Sequence, residues 1–169
     1  NGVGKSTLLG CLAGTIKHDG RVLLDGARVG ASTRGQIAYL PQRLRLPAAS
    51  SGSEVMRLFG SLTGTGGDRV KVPEGFLPDM DKPVGQLSGG QAQRVALAAT
   101  LQGSPDLVLL DEPFANLDDD AREQAHQLLR AHRDAGATVL VASPTALDLL
   151  AMIDRVLLLE DGRIGFDGA

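Results

Sequence analysis

The sequence predicts an α/β fold: a mostly parallel sheet carrying helices. Three observations carry this. A glycine-rich run, Asn1-Gly2-Val3-Gly4-Lys5-Ser6-Thr7, leads directly into the apolar helical run 8–13. A continuous apolar run, Leu107-Val108-Leu109-Leu110, ends on Asp111-Glu112-Pro113. In the second half of the chain, amphipathic helical runs alternate with short apolar strands. Short apolar runs without alternation fit strands buried on both faces, as in parallel sheets covered by helices.

The 169 residues suit one domain with a real core. Hydrophobic residues at 43% and charged residues at 22% are ordinary globular values, and they set no exotic class. A net charge of −3 without a basic stripe gives no nucleic-acid surface. A single cysteine, Cys11, excludes a disulfide framework or a cysteine-rich zinc site, and packing is its expected role. No apolar run approaches the roughly 20 residues of a membrane span, and no signal peptide is visible. The expected location is cytoplasmic.

The elements follow in order. The glycines of the opening loop let successive N–H groups curl around phosphate oxygens. Residues 21–25 and 36–40 read as short strands between Gly/Ser-rich turns. From Arg43 to Gln86 the texture changes to proline, serine and glycine around one helix, Glu54–Leu62, capped by Ser53 and apolar at Val55, Leu58, Phe59 and Leu62. The stretch 61–78 reads as loop. The chain therefore divides into 1–42, 43–86 and 87–169. Leu87-Ser88-Gly89-Gly90-Gln91 opens a helix through Ala99, with Ser88 as its cap and bare N–H groups at a positive dipole end. A helix over 119–135 buries Ala121, Ala125, Leu128 and Leu129 and stops at Gly136. Strand 138–142 is followed by a helix from Thr145 to about Ile153. Asp161-Gly162 joins strands 155–160 and 163–166 into a hairpin. His18, His126 and His132 lack convergent partners and read as surface residues.

Three of these segments carry chemistry. In the opening loop, Lys5 places a cation on β- and γ-phosphates and the Ser6 hydroxyl ligates Mg²⁺. At the end of the apolar strand, where open α/β sheets hold ligands, Asp111 holds the metal through water. Glu112 acts there as general base, a role that typically supplies about 10²–10⁴-fold in rate. The third is the anion site at Ser88-Gly89-Gly90-Gln91. Each segment alone also fits a plain structural role: a turn, an acidic strand end, an N-capped helix.

Taken together and in this order, they resemble the nucleotide-binding domain of the ATP-binding cassette (ABC) family, a P-loop ATPase fold. The resemblance runs over essentially the whole chain. It implies ATP and Mg²⁺ as cofactors, with Asn1, Gly2, Val3, Gly4, Lys5, Ser6 and Thr7 cradling the phosphates. It makes Gln42, after the strand Ala38-Tyr39-Leu40-Pro41, a contact to metal and attacking water. Asp118, in Ala115-Asn116-Leu117-Asp118, becomes part of a loop that crosses a dimer interface. The implied partners are transmembrane permease subunits and a second cassette, on the cytoplasmic face of the membrane; no nucleic acid is expected. Arg43-Leu44-Arg45-Leu46 is similar to cassettes of metal-ion (zinc or manganese) importers, and to those of two-component drug exporters. A soluble ribosome-associated cassette and a regulatory, non-hydrolysing cassette are the alternatives.

Two departures stand out. The family pattern has a glycine five positions before Gly4, and a strand and an adenine-stacking aromatic ahead of it, so a longer gene product is expected. Pro144 stands where the family carries a histidine that contacts the γ-phosphate, so slow hydrolysis is expected.

Overall fold

The computed structural model describes residues 2–63, 71–145, 149 and 152–168. Helix α1 spans Lys5–Leu12. A minimal antiparallel pair follows, β1 (Leu23–Leu24) and β2 (Ala27–Arg28). Asp25 (φ 48°) and Gly26 (φ 80°) supply its turn. The sequence expectation of one strand over 21–25 gives way here to a hairpin with a left-handed turn in its middle.

The sheet that positions the site is parallel, in the order β3 (Ile37–Leu40), β4 (Leu107–Asp111), β5 (Thr138–Ala142). Leu40 lies opposite Leu110, and Asp111 opposite Ala142. All three strands therefore end at one edge, where Gln42, Glu112 and Pro144 follow within two residues. The central strand β4 is buried over Val108–Asp111, as its unbroken apolar run requires.

Side-chain alternation then separates two layers. Ala38 and Leu40, Val108 and Leu110, and Val139 and Val141 face one cluster. That cluster is filled by helix α3 (Gly89–Thr100) through Ala96 and Leu97, with Leu101 just past its end, and by helix α4 (Asp119–Asp134) through Ala121, Ala125, Leu128 and Leu129. Helix α1 packs on β4 and β5 from the other side, the side of Tyr39, Leu109 and Asp111. Each fully buried leucine contributes about 1.5–3 kcal/mol.

Helix α2 (Gly52–Leu62) starts two residues before its expected position, and its cap is Ser51 rather than Ser53. Ser51 Oγ accepts from Glu54 N–H (3.2 Å) while Glu54 Oε2 accepts from Ser51 N–H (2.8 Å), a capping box that Ser53 has no partner to form. Its apolar face is only partly covered: Val55 is buried, whereas Leu58 and Leu62 are exposed. Val55 joins Val84, Val95 and Ala99 in a second cluster that binds α2 to α3.

The C-terminal strands β6 (Val156–Glu160) and β7 (Arg163–Gly168) form a hairpin, with Asp161 (φ 45°) and Gly162 (φ 74°) both left-handed, as a type I′ turn demands. The Arg155 guanidinium donates to Asp167 (Nη2–Oδ2 2.6 Å) across its open end. The helix expected over 145–153 lies mostly outside the described residues; at its end, Met152 and Ile153 N–H both donate to Leu149 O.

Candidate functional site

Helix α1 has an unusual beginning. Its N-cap, Gly4, is left-handed (φ 102°) and Gly2 is too (φ 88°), a backbone that side chains with a Cβ rarely adopt. Leu8 N–H donates to Gly4 O (2.8 Å), so the N–H groups of Lys5, Ser6 and Thr7 form the open first turn. No side chain caps them and no acidic residue sits in that turn. The other three described α-helices are capped, by Ser51, Ser88 and Asp118. The uncapped end is the one with glycines, a lysine and two hydroxyls. Asn1 lies outside the described residues.

Asp111 ends β4 on the same face of the sheet as α1. It is 2% exposed, and among the described residues no Lys, Arg or His lies within ion-pair distance of it. Its charge is felt by Tyr39 on the neighbouring strand. Burial first, and the Asp111 carboxylate second, push that phenol above its ordinary value. Ser6, Gln42 and Asp111 offer only oxygen donors, which suits Mg²⁺. No three His, Cys, Asp or Glu converge among the described residues. A donor set with one carboxylate fits a cation that takes its remaining ligands from phosphates and water.

Glu112 follows directly, half-buried, with φ 51°. A left-handed glutamate is uncommon and persists where the surroundings over-determine it. Here its N–H donates to Ala142 O (2.9 Å) and its carbonyl accepts from Ala115 N–H (3.2 Å). Gln42 is exposed two residues past β3, at the same sheet edge. Pro144 is exposed past β5 and has no polar side chain to offer; beside it, Ser143 Oγ accepts from Thr145 N–H (3.3 Å).

Ser88 caps α3 in a second capping box: Ser88 Oγ accepts from Gln91 N–H (3.2 Å), and Gln91 Oε1 accepts from Ser88 N–H (3.0 Å). The serine hydroxyl keeps its own proton to donate outward. Gly89 and Gly90 N–H lead the helix. This end lies on the sheet layer opposite α1, against the loop that follows Glu112. Asp118 Oδ1 accepts from Ala121 N–H (2.8 Å) and so caps α4.

Two contacts of this loop carried no sequence signal. Gln93 Nε2 donates to Pro113 O (3.0 Å), joining residues 20 apart. His126, expected at the surface, is 8% exposed and meets Phe114 edge to face (centroids 4.6 Å), with Glu123 3.8 Å from its Nδ1. His132 is also partly buried, beside the carbonyls of Leu128 (2.9 Å) and Leu101 (3.3 Å), whereas His18 is exposed.

The sequence profile of the ABC transporter family matches residues 1–115. The chain belongs to the ABC transporter family. An aliphatic sulfonates import ATP-binding protein, SsuB 1 of Paraburkholderia xenovorans (strain LB400), is 38% identical over 99% of this chain and 49% of its own length. A cobalt import ATP-binding protein, CbiO of Rhodobacter capsulatus, is 36% identical over the whole chain and 66% of its own length. Against the sulfonate relative, the chain spans about half the length. Among solved structures, an ATP-binding subunit of an ABC transporter superposes with a TM-score of 0.87 at 25% identity, covering 99% of this chain and 75% of the other. An archaeal ribosome recycling factor, aABCE1, superposes with a TM-score of 0.73 at 29% identity, over 97% of this chain and 31% of that one. The fold is therefore that of the ABC P-loop ATPases, an α/β architecture around a parallel sheet. No described helix is long and apolar enough to cross a membrane.

Proposed function

We propose that this chain is the catalytic portion of an importer's ATP-binding subunit, and that it binds and slowly hydrolyses ATP. One observation carries the reading: the uncapped, glycine-led N-terminus of α1, bearing Lys5 and Ser6, shares a sheet face with the buried carboxylate of Asp111. Lys5 and the open N–H groups of α1 hold the β- and γ-phosphates. Ser6, Asp111 and Gln42 hold Mg²⁺, whose charge offsets that of the phosphates. Glu112, held at a fixed angle between β5 and the following loop, takes the proton of the attacking water. Gln42 orients that water.

Ser88, Gly89, Gly90 and Gln91 belong to the other layer of the sheet. Their role is to cap the nucleotide held by a second cassette, so that two copies, or this chain and a relative, enclose two nucleotides. Asp118, besides capping α4, faces that same junction. The segment 43–86 is the short helical subdomain that meets the permease at the cytoplasmic face of the membrane. An importer is supported by the relatives from Paraburkholderia xenovorans and Rhodobacter capsulatus, both import ATP-binding proteins. Their cargoes, sulfonates and cobalt, differ, so the metal-ion cargo proposed here rests on Arg43-Leu44-Arg45-Leu46 and not on the relatives.

Phosphate release by the full-length protein with ATP and Mg²⁺ tests this. Slow release that Lys5→Ala abolishes through binding, and that Glu112→Gln abolishes without loss of binding, supports the reading. Equal release by all three proteins contradicts it.

A further inference from the structure

Two groups proposed above to serve different nucleotides are wired together inside one chain. The capping end of α3 serves the partner's nucleotide, and Glu112 serves the chain's own. Between them, Gln93 Nε2 donates to Pro113 O at 3.0 Å, in a partly buried setting. One turn earlier on the same helix, Gly90 lies against Asn116 of the same loop, closely enough that a Cβ there would stand 2.5 Å from the Asn116 carbonyl oxygen.

The turn at Glu112 is thereby held from two sides. Its N–H is fixed to Ala142 O on β5 (2.9 Å), and the next carbonyl, that of Pro113, is fixed to α3. The proline ring locks its own φ, and Glu112 is confined to a left-handed φ of 51°. A shift of α3 that pulls on the Pro113 carbonyl is then absorbed in the ψ angles of Glu112 and Pro113, the first of which is a torsion at the Cα that carries the Glu112 side chain. An anion arriving at Ser88–Gly90 loads the N-terminus of α3, less than two helical turns from Gln93.

We infer that Gln93 is a positioning residue through which occupation of the Ser88–Gln91 cap by the partner's nucleotide aims Glu112 at the chain's own. The inference rests on the ATPase reading and adds a route between the two sites. It touches no nucleotide itself.

The test is steady-state ATP hydrolysis by the full-length protein carrying Gln93→Met, which keeps the length and removes the donor. The expected result is a kcat lower by about three- to tenfold, the worth of one neutral hydrogen bond. The ATP KM stays unchanged, and the Hill coefficient falls towards one from a higher wild-type value. Gln93→Glu supplies a readout that packing alone does not move. As a carboxylate it presents lone pairs to the Pro113 carbonyl and turnover is low; as pH falls and it protonates, its O–H donates and turnover recovers, relative to wild type. Wild-type kcat and cooperativity in Gln93→Met overturn the inference and leave the ATPase reading standing. A Gln93→Glu profile parallel to that of Gln93→Met also overturns it, as a packing effect. Absence of turnover in the wild type overturns both.

Discussion

Gly90 and Asn116 meet where a side chain would collide: a Cβ built on Gly90 stands 2.5 Å from the Asn116 carbonyl oxygen, whereas one on Gly89 stands 4.0 Å from Asn116 Cβ. The two adjacent glycines therefore have different reasons to be glycine. At Gly90 the neighbour is backbone, held in a left-handed turn (Asn116 φ 63°), and it has little room to give. Gly90→Ala is expected to destabilise the fold by about 1–3 kcal/mol through overpacking. Gly89→Ala, at an open position in a helix, leaves stability unchanged or raises it. Urea unfolding of the two variants beside the wild type checks this.

Lys5 is expected to dominate nucleotide affinity. A hydrogen bond to a charged group is worth roughly 1.5–3 kcal/mol, so Lys5→Met weakens ATP binding about 10- to 150-fold. The fold is left intact, because this half-buried lysine forms no ion pair among the described residues. Calorimetric binding of ATP with Mg²⁺, alongside thermal melting, separates the two effects.

Tyr39 offers a reading of the Asp111 charge from within the site. It is the single tyrosine of these 169 residues, which hold no tryptophan, and the difference between the full-length protein and its Tyr39→Phe variant isolates its phenolate absorbance. Burial and the Asp111 carboxylate hold the phenol neutral above its ordinary titration range. The stability linked to this group is complete below the unfolded value, about 10, and is lost as pH rises through the higher folded value. Asp111→Asn is expected to lower the Tyr39 midpoint part of the way, because the larger cause, burial, remains. Spectrophotometric titration of both proteins measures it; an unmoved midpoint removes Asp111 from the neighbourhood claimed for it.

Pro144 is expected to limit the rate. It stands past β5, at the edge that also carries Glu112 and Gln42, and contributes no donor. Restoring one with Pro144→His should raise kcat by one to two orders of magnitude, the roughly 1.5–3 kcal/mol of a charge-assisted hydrogen bond. Phosphate release at saturating ATP reads it, and an unchanged kcat refutes this account of Pro144.

Much of the candidate site could be read because its residues are local. Glycines beside Lys5, the Ser88 cap ahead of Gly89 and Gly90, and an apolar run ending on Asp111-Glu112 each point to a chemistry within a few positions. The unbroken β4 run told that both faces are covered, but not that Asp111 shares a face with α1; that follows from register with β3 and β5. Ser51 was legible and missed: Glu54, three residues on, completes a box with Ser51 and not with Ser53. His126 and Gln93 were not legible. Both are polar residues on helices, and only the return of the loop after Glu112, bringing Phe114 and the Pro113 carbonyl, gives them their places. The pair Leu23–Leu24 and Ala27–Arg28 was legible and missed: Asp25-Gly26 is the same left-handed turn dipeptide as Asp161-Gly162, and the expected strand ran through it.

The central claim is that a triphosphate gripped at Lys5 is closed from outside by Ser88 of another cassette. The most direct measurement is light scattering of the full-length Glu112→Gln protein with ATP and Mg²⁺, with and without Ser88→Arg. The account predicts that ATP converts the Glu112→Gln protein from monomer to dimer. It also predicts that adding Ser88→Arg keeps it monomeric while the affinity of the monomer for ATP is unchanged. A protein that binds ATP and stays monomeric, or a Ser88→Arg monomer that has itself lost ATP, would contradict it.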